Sequence, residues 1–172
     1  MRIRPWQAED ADALHRLVRD SHASLSRWLP WCHPDYGLAD ARSWIERSLV
    51  SWQARSAFPF AVVEGDAGSL LGSAGLSQLD PAQGVANLGY WVGTPFVGRG
   101  IATDAARHVV RFGFDELGLR RILVRVLADN HASLAVARKL GAQYQASVGD
   151  DTTHGEEPHE ILVHVLTAGD RA

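Results

Sequence analysis

Ala86-Asn87-Leu88-Gly89-Tyr90-Trp91-Val92-Gly93-Thr94-Pro95-Phe96-Val97-Gly98-Arg99-Gly100-Ile101-Ala102-Thr103 is the stretch on which the reading of this chain turns. An apolar, aromatic run of strand type enters a glycine-rich turn, and the turn opens directly onto a long amphipathic segment. The spacing predicts a strand, a tight loop and the first turn of a helix. Amides in a helix's first turn have no intrahelical acceptor, and the helix dipole adds partial positive charge at the same place. Such an assembly binds phosphate oxygens through its main chain. Gly98 and Gly100 let an anion approach more closely than a Cβ would allow, and a pyrophosphate is the expected group.

Three kinds of phosphate loop have related spellings. A nucleotide-triphosphate loop requires G-x-x-x-x-G-K-[ST]; Gly93 and Gly98 have that spacing, but Arg99 and Gly100 occupy the lysine and hydroxyl positions. A dinucleotide fingerprint requires G-x-G-x-x-G, and Gly98 to Thr103 lacks the third glycine and lies mid-chain. Gly100-Ile101-Ala102, preceded by Arg99, instead fills the end of x-x-x-G-x-[GA], the loop of the GNAT N-acetyltransferases. Downstream, Asn130-His131-Ala132-Ser133 and Lys139-Leu140-Gly141 resemble the N-x-x-S-x-x-x-x-x-K-L-G signature of the RimJ/RimL branch. Ile3-Arg4-Pro5-Trp6, Glu9-Asp10-Ala11 and Trp28-Leu29-Pro30-Trp31 are similar to that branch as well. The chain is identified by resemblance, over nearly its whole length, as a RimJ/RimL-like member of the GNAT superfamily.

The resemblance implies an acetyl-CoA-dependent N-acetyltransferase in which a primary amine attacks the thioester directly. It implies that the strand before the loop splays from a parallel neighbour, so that the main chain of Tyr90, Trp91 and Val92 bonds the pantetheine arm. Val97, Gly98, Arg99, Gly100, Ile101, Ala102 and Thr103 would then hold the pyrophosphate of coenzyme A. Many relatives use a tyrosine seven residues after the asparagine to protonate the thiolate; that position is Ala137 here, and Ser133 is the candidate acid. Asn130 either bonds the pantetheine or caps the helix, for which asparagine is well suited. Asn87 stands where relatives commonly carry a basic glutamate in an A-E-[LI]-G-Y context. A direct strand base is therefore missing. That suits an α-amine better than a lysine, because its lower pKa leaves more of it neutral. His33, Asp35 and His154 are candidate relays, and Trp28, Trp31, His33, Asn87, Asp150, Asp151 and His154 are placed at the acceptor side. The expected partner is a protein N-terminus, a peptide or a small amine. A catalytically degenerate acyl-CoA sensor of the same fold stays open, as do a nucleotide-binding module and a homodimer. Each residue also has an ordinary reading: core strand, helix cap, packed tryptophan or solvated loop.

Composition sets the bounds. At 172 residues the chain has the length of one domain, 1–172, able to bury about two-thirds of its unfolded surface. A net charge of −3 argues against a general nucleic-acid binder. The one cysteine, Cys32, calls for no oxidising compartment. No run reaches the length of a membrane span, and the cytoplasm is the expected location. His154 and His159 with nearby carboxylates match no structural zinc spacing, so no metal is expected.

Short apolar segments at Phe58–Glu64, Ser69–Leu79 and Gly84–Val92 predict an antiparallel meander. A helix over about Arg99 to Leu117 should face the core with Ala102, Ala105, Ala106, Val109 and Phe112 and be stopped by Gly118. Ile122–Leu127 should run parallel to Gly84–Val92, followed by a helix and a final strand pair. The expected fold is mixed α/β (α+β), with a central sheet of six to seven strands and helices on both faces.

Overall fold

The computed structural model describes residues 1–65, 68–149 and 160–169. Its strands are β1 (Arg2–Pro5), β2 (Phe58–Glu64), β3 (Ser69–Asp80), β4 (Val85–Val92), β5 (Arg121–Leu127), β6 (Gln143–Gly149) and β7 (Glu160–Thr167). Its helices are α1 (Ala11–Asp20), α2 (His22–Leu25), α3 (Leu38–Gln53), α4 (Ile101–Asp115) and α5 (His131–Lys139). The strands form one sheet in the order β1-β2-β3-β4-β5-β7-β6. All neighbours are antiparallel except β4 and β5. This is the GNAT fold expected from the sequence.

Alternation along β2 shows how the two faces are filled. Phe58, Phe60 and Val62 face α4, where Ala105, Ala106 and Val109 meet them. Ala61 and Val63 point the other way, toward Leu14 and Val18 of α1 and Ile45 of α3. The buried stripe of α4 differs in detail from expectation. Thr103, Gly113 and Phe114 are buried, whereas Ala102 and Phe112 are only half-buried. The helix starts at Ile101 rather than Arg99, and its contact with the sheet runs through positions 101, 105, 109 and 113. Ala102 is left at the margin, and Phe112 packs edge-on against Phe58 and Phe60 at 5.2 and 5.3 Å. Gly118 does end the helix: at φ +64° it lets the Leu119 amide return to the Gly113 carbonyl at 3.0 Å.

The feature that positions the site is the β4–β5 pair. Pairing covers only Val85↔Arg121, Ala86↔Ile122 and Asn87↔Leu123. Both strands continue, β4 against β3 as far as Val92↔Gly72 and β5 against β7 as far as Leu127↔Ile161, but not against each other. Beyond Asn87 the sheet is therefore split. Main-chain groups of β4 along Leu88–Val92 face the gap without a ladder partner on that side, and such groups seek a bonding partner.

Candidate active site

The loop follows β4 immediately. The Gly93 amide bonds the Leu71 carbonyl at 2.8 Å and ties the start of the loop to β3. A 3-10 turn at Thr94–Phe96 follows, with Pro95 in its first turn. Gly98 and Gly100 then adopt φ values of +80° and +78°, the left-handed region that L side chains rarely enter. Within α4 the Asp104 amide bonds the Gly100 carbonyl at 3.0 Å. The amides of Ile101, Ala102 and Thr103, one turn earlier, have no intrahelical acceptor. A Cβ built on Gly98 or Gly100 meets no atom within 4 Å, so open space lies over both.

Side chains of the loop turn elsewhere. Arg99 reaches Glu64 at 3.3 Å and lies over the Phe96 ring at 5.7 Å. Ile101 and Thr103 are buried, and Val97 projects into solvent. What the loop presents at its two left-handed glycines is main chain.

Across the split stands the N-terminus of α5. Asn130 caps it: the side-chain oxygen accepts from the Ser133 amide at 3.1 Å, and Asn130 is buried. The Tyr90 hydroxyl donates to the Ser133 carbonyl at 2.8 Å, a bond from β4 to α5 over the gap. Burial raises the Tyr90 pKa and keeps that donor protonated. Ser133 is half-buried, and its hydroxyl has no hydrogen-bond partner among the described residues. The loop, the unpaired edge of β4 and the Asn130/Ser133 helix start thus border one gap.

The opposite face of the sheet carries a cavity of about 570 Å³. Its floor follows from register. Ser73↔Trp91, Gly75↔Gly89 and Ser77↔Asn87 are facing pairs, so one face of β3 and β4 carries mostly hydroxyls and glycines. α3 packs on α1 and on β2 and presents Asp40, Trp44, Arg47, Ser48 and Ser51 to this floor at helical spacing. Nothing bulky fills the space between them.

Of the residues predicted at the acceptor side, Trp31 and His33 line the cavity, as does Trp91 of the predicted cofactor strand. Trp28 is not among the lining residues; its ring lies under the Arg27 guanidinium at 4.5 Å. Asn87 shares the cavity's face of β4, and its side-chain oxygen is buried without a partner among the described residues. His33 Nε2 is 3.8 Å from Asp40 Oδ1, while Asp35 is exposed and outside the lining. Asp150, Asp151 and His154 lie outside the described residues. The sequence reading missed Tyr36, Asp40 and the serines of the cavity. One available signal was the period-two run Ser73-x-Gly75-x-Ser77, where a buried strand would carry apolar residues.

Burial, with the Asp40 charge second, pushes the Tyr36 phenol up to about 12. Among the described residues, no group of three or more metal-ligating side chains occurs, and no helix is long and apolar enough to cross a membrane.

Comparison with known proteins gives a consistent answer. The family model described as "Acetyltransferase (GNAT) domain" matches residues 1–143. The YdaF protein of Bacillus subtilis (strain 168) is 27% identical over 166 residues, covering 95% of this chain and 89% of its own. The spermidine N(1)-acetyltransferase of Escherichia coli (strain K12) is 26% identical over 164 residues, 95% of this chain and 79% of its own. A solved structure of RimL, a ribosomal L7/L12 alpha-N-protein acetyltransferase in complex with coenzyme A, aligns with a TM-score of 0.88 at 21% identity. That alignment covers 96% of this chain and 92% of the other, and at that identity the likeness is one of fold. With the family model spanning the loop, the split sheet and the start of α5, the chain belongs to the GNAT family of N-acetyltransferases.

Proposed function

We propose that this protein transfers an acetyl group from acetyl-CoA to the α-amine of a protein or peptide N-terminus, or to a small primary amine. One observation carries the reading: the two-glycine loop, the unpaired edge of β4 and the Ser133 hydroxyl border a single gap whose other face opens on a cavity. The residues present fit coenzyme A. Left-handed glycines with open space above them suit a pyrophosphate, and the free edge of β4 at Tyr90, Trp91 and Val92 suits an amide-bearing arm.

Bound acetyl-CoA supplies an activated thioester. In this reading the loop amides and those of Ile101–Thr103 hold the negative charge of the cofactor, and Thr103 takes part only through its amide. Unpaired amides along β4 polarise a carbonyl lying in the gap. Ser133 gives its proton to the departing sulfur, and Asn130 holds the helix start that positions Ser133. No carboxylate stands at position 87. His33, backed by Asp40, takes the amine proton through water from the cavity side. At pH 7 an α-amine of pKa about 7.8 is neutral about one time in seven, whereas a lysine of pKa about 10.4 is neutral about once in 2,500. A relayed base therefore suits the α-amine.

A second reading, an acyl-CoA sensor without turnover, draws on Asn87, which puts a carboxamide with a buried, unpartnered oxygen where a base would stand. Thermal shift with coenzyme A and thiol release from acetyl-CoA with added amines test both. Coenzyme A stabilisation with amine-dependent thiol release supports the enzyme, stabilisation without release the sensor, and absence of both overturns the two together.

A further inference from the structure

The cavity on the α1/α3 face has a chemistry more specific than "amine". Its volume is about 570 Å³, the space of roughly twenty water molecules, and within the size range of sites for small organic ligands. Four aromatic side chains, Trp31, Tyr36, Trp44 and Trp91, line it together with His33 and with Tyr90, whose hydroxyl donates to the Ser133 carbonyl. Trp31 sits among them, tilted at 5.9 Å from Tyr36 and 5.7 Å from Trp91. None of the four is fully buried, so their faces are left for an occupant.

Three of the lining hydroxyls are already committed as donors. Ser48 donates to the Trp44 carbonyl at 2.8 Å, Ser51 to the Ser48 carbonyl at 2.9 Å, and Ser73 to the Phe60 carbonyl at 2.9 Å. Each has given up its proton and turns only lone pairs to the cavity. Lone pairs, π faces and the Asp40 carboxylate all attract a donor-bearing cation. The charge count limits that cation. Among the described lining residues Asp40 is the one carboxylate, and the Arg47 cation shares the rim with it. A ligand with several ammonium groups would be opposed by Arg47 and find one counter-charge. A ligand with one amine and an aromatic body would satisfy the rings and the lone pairs together.

We infer that this cavity selects an acceptor with a single primary amine borne on an aromatic group, because its walls carry ring faces, three of its serines turn acceptor oxygens inward, and Asp40 is the one carboxylate among its described lining residues. The amine is acetylated through the reading proposed above; selection by the cavity does not depend on turnover. The same chemistry has two sources, a free arylalkylamine or the first residue of a peptide with an aromatic side chain.

The test is run on the full chain with two readouts. Tryptophan fluorescence follows binding of 2-phenylethylamine, n-propylamine and spermidine, and thiol release from acetyl-CoA follows turnover. The same assays use peptides starting with Phe or Gly, with free and blocked N-termini. Expected is at least about tenfold tighter binding and higher kcat/KM for the aromatic amine over propylamine, the range a hydrophobic pocket gives. Trp44→Leu, which keeps an apolar side chain but removes a ring, and Ser51→Phe, which fills the cavity, should each cut that preference at least about fivefold. Propylamine should lose less than the aromatic amine in both variants, having no ring to stack on these walls. Preference for the Phe peptide alone assigns the source to an N-terminus, and for phenylethylamine alone to a free amine; either supports the inference. Aromatic binding without thiol release supports it while overturning the acyl-transfer reading. Equal binding of all three amines, a preference for spermidine, or a preference unmoved in both variants overturns it.

Discussion

Gly100→Ala separates the role of the loop in cofactor binding from its role in the fold. The alanine methyl meets no protein atom within 4 Å, so no side chain has to move. The cost is backbone strain alone, about 1–2 kcal/mol for an L-residue held at φ near +78°. At about 2.1 cal/mol/K per residue, a 172-residue chain unfolds with an entropy near 0.36 kcal/mol/K, so Tm should fall by about 3–6 °C. Coenzyme A at one hundred times its Kd should stabilise the wild type by about 2.7 kcal/mol, a rise of roughly 7 °C. In the proposed placement the same methyl takes space that the pyrophosphate would occupy over Gly100, so the variant should show little or no rise. Gly113→Ala is the control. Its methyl would come within 2.9 Å of Ile122 and 3.0 Å of Leu76, lowering Tm by crowding the core while leaving the loop alone. It should keep the full coenzyme A shift. Differential scanning fluorimetry of the three proteins, with and without coenzyme A, gives the comparison. An undiminished shift in Gly100→Ala would refute the placement of the pyrophosphate over this loop.

Other expectations follow from the same contacts. Ser133→Ala should lower kcat by about 10²–10⁴-fold with little change in coenzyme A affinity, and the loss should shrink with donors whose leaving thiol is more acidic; steady-state kinetics at pH 7 would show it, and full activity would return the proton to water. Asp10→Ala removes both bonds from the Arg4 guanidinium at 2.7 Å and the bond from the Gln7 amide at 2.9 Å, and should cost about 2–4 kcal/mol in urea unfolding. Tyr36, raised to about 12 in the fold, stays protonated where the unfolded chain ionises near pH 10. The unfolded state then binds fewer protons, so stability should fall as pH rises from about 10 to 12, and less steeply in Tyr36→Phe.

Much of this was legible in the sequence because it rests on local rules. The apolar runs bounded by Gly, Pro and Asp place β2, β3 and β4 within a residue or so of their ends, and Gly118 marks the end of α4. Asn130 announced its capping bond by its place three residues before Ser133. That β4 splays from β5 came from family resemblance, and the three-rung limit only from the structure, since nothing local to Leu88 or Val124 says where pairing stops. The cavity was hidden for a different reason. Ser73, Gly75 and Gly89 become one floor only when β3 and β4 lie in register, and α3 becomes its roof only once it has docked on α1. Trp28 and Trp31 look equivalent in sequence, but three residues of turn send one to Arg27 and the other to the cavity.

The bond from Tyr90 to Ser133 gives the split sheet a mechanical property. Each wall of the gap is stiffened by its own ladder, β4 by β3 and β5 by β7, and the walls meet at three rungs below and one side-chain bond above. The two walls are thus tied to each other by contacts within the chain itself. A ligand entering the gap has no sheet to pry open and no strand to order. Such an opening is ready to receive an extended arm along the free edge of β4. Loosening the upper tie with Tyr90→Phe is the one-atom change that would alter the gap without cutting a rung.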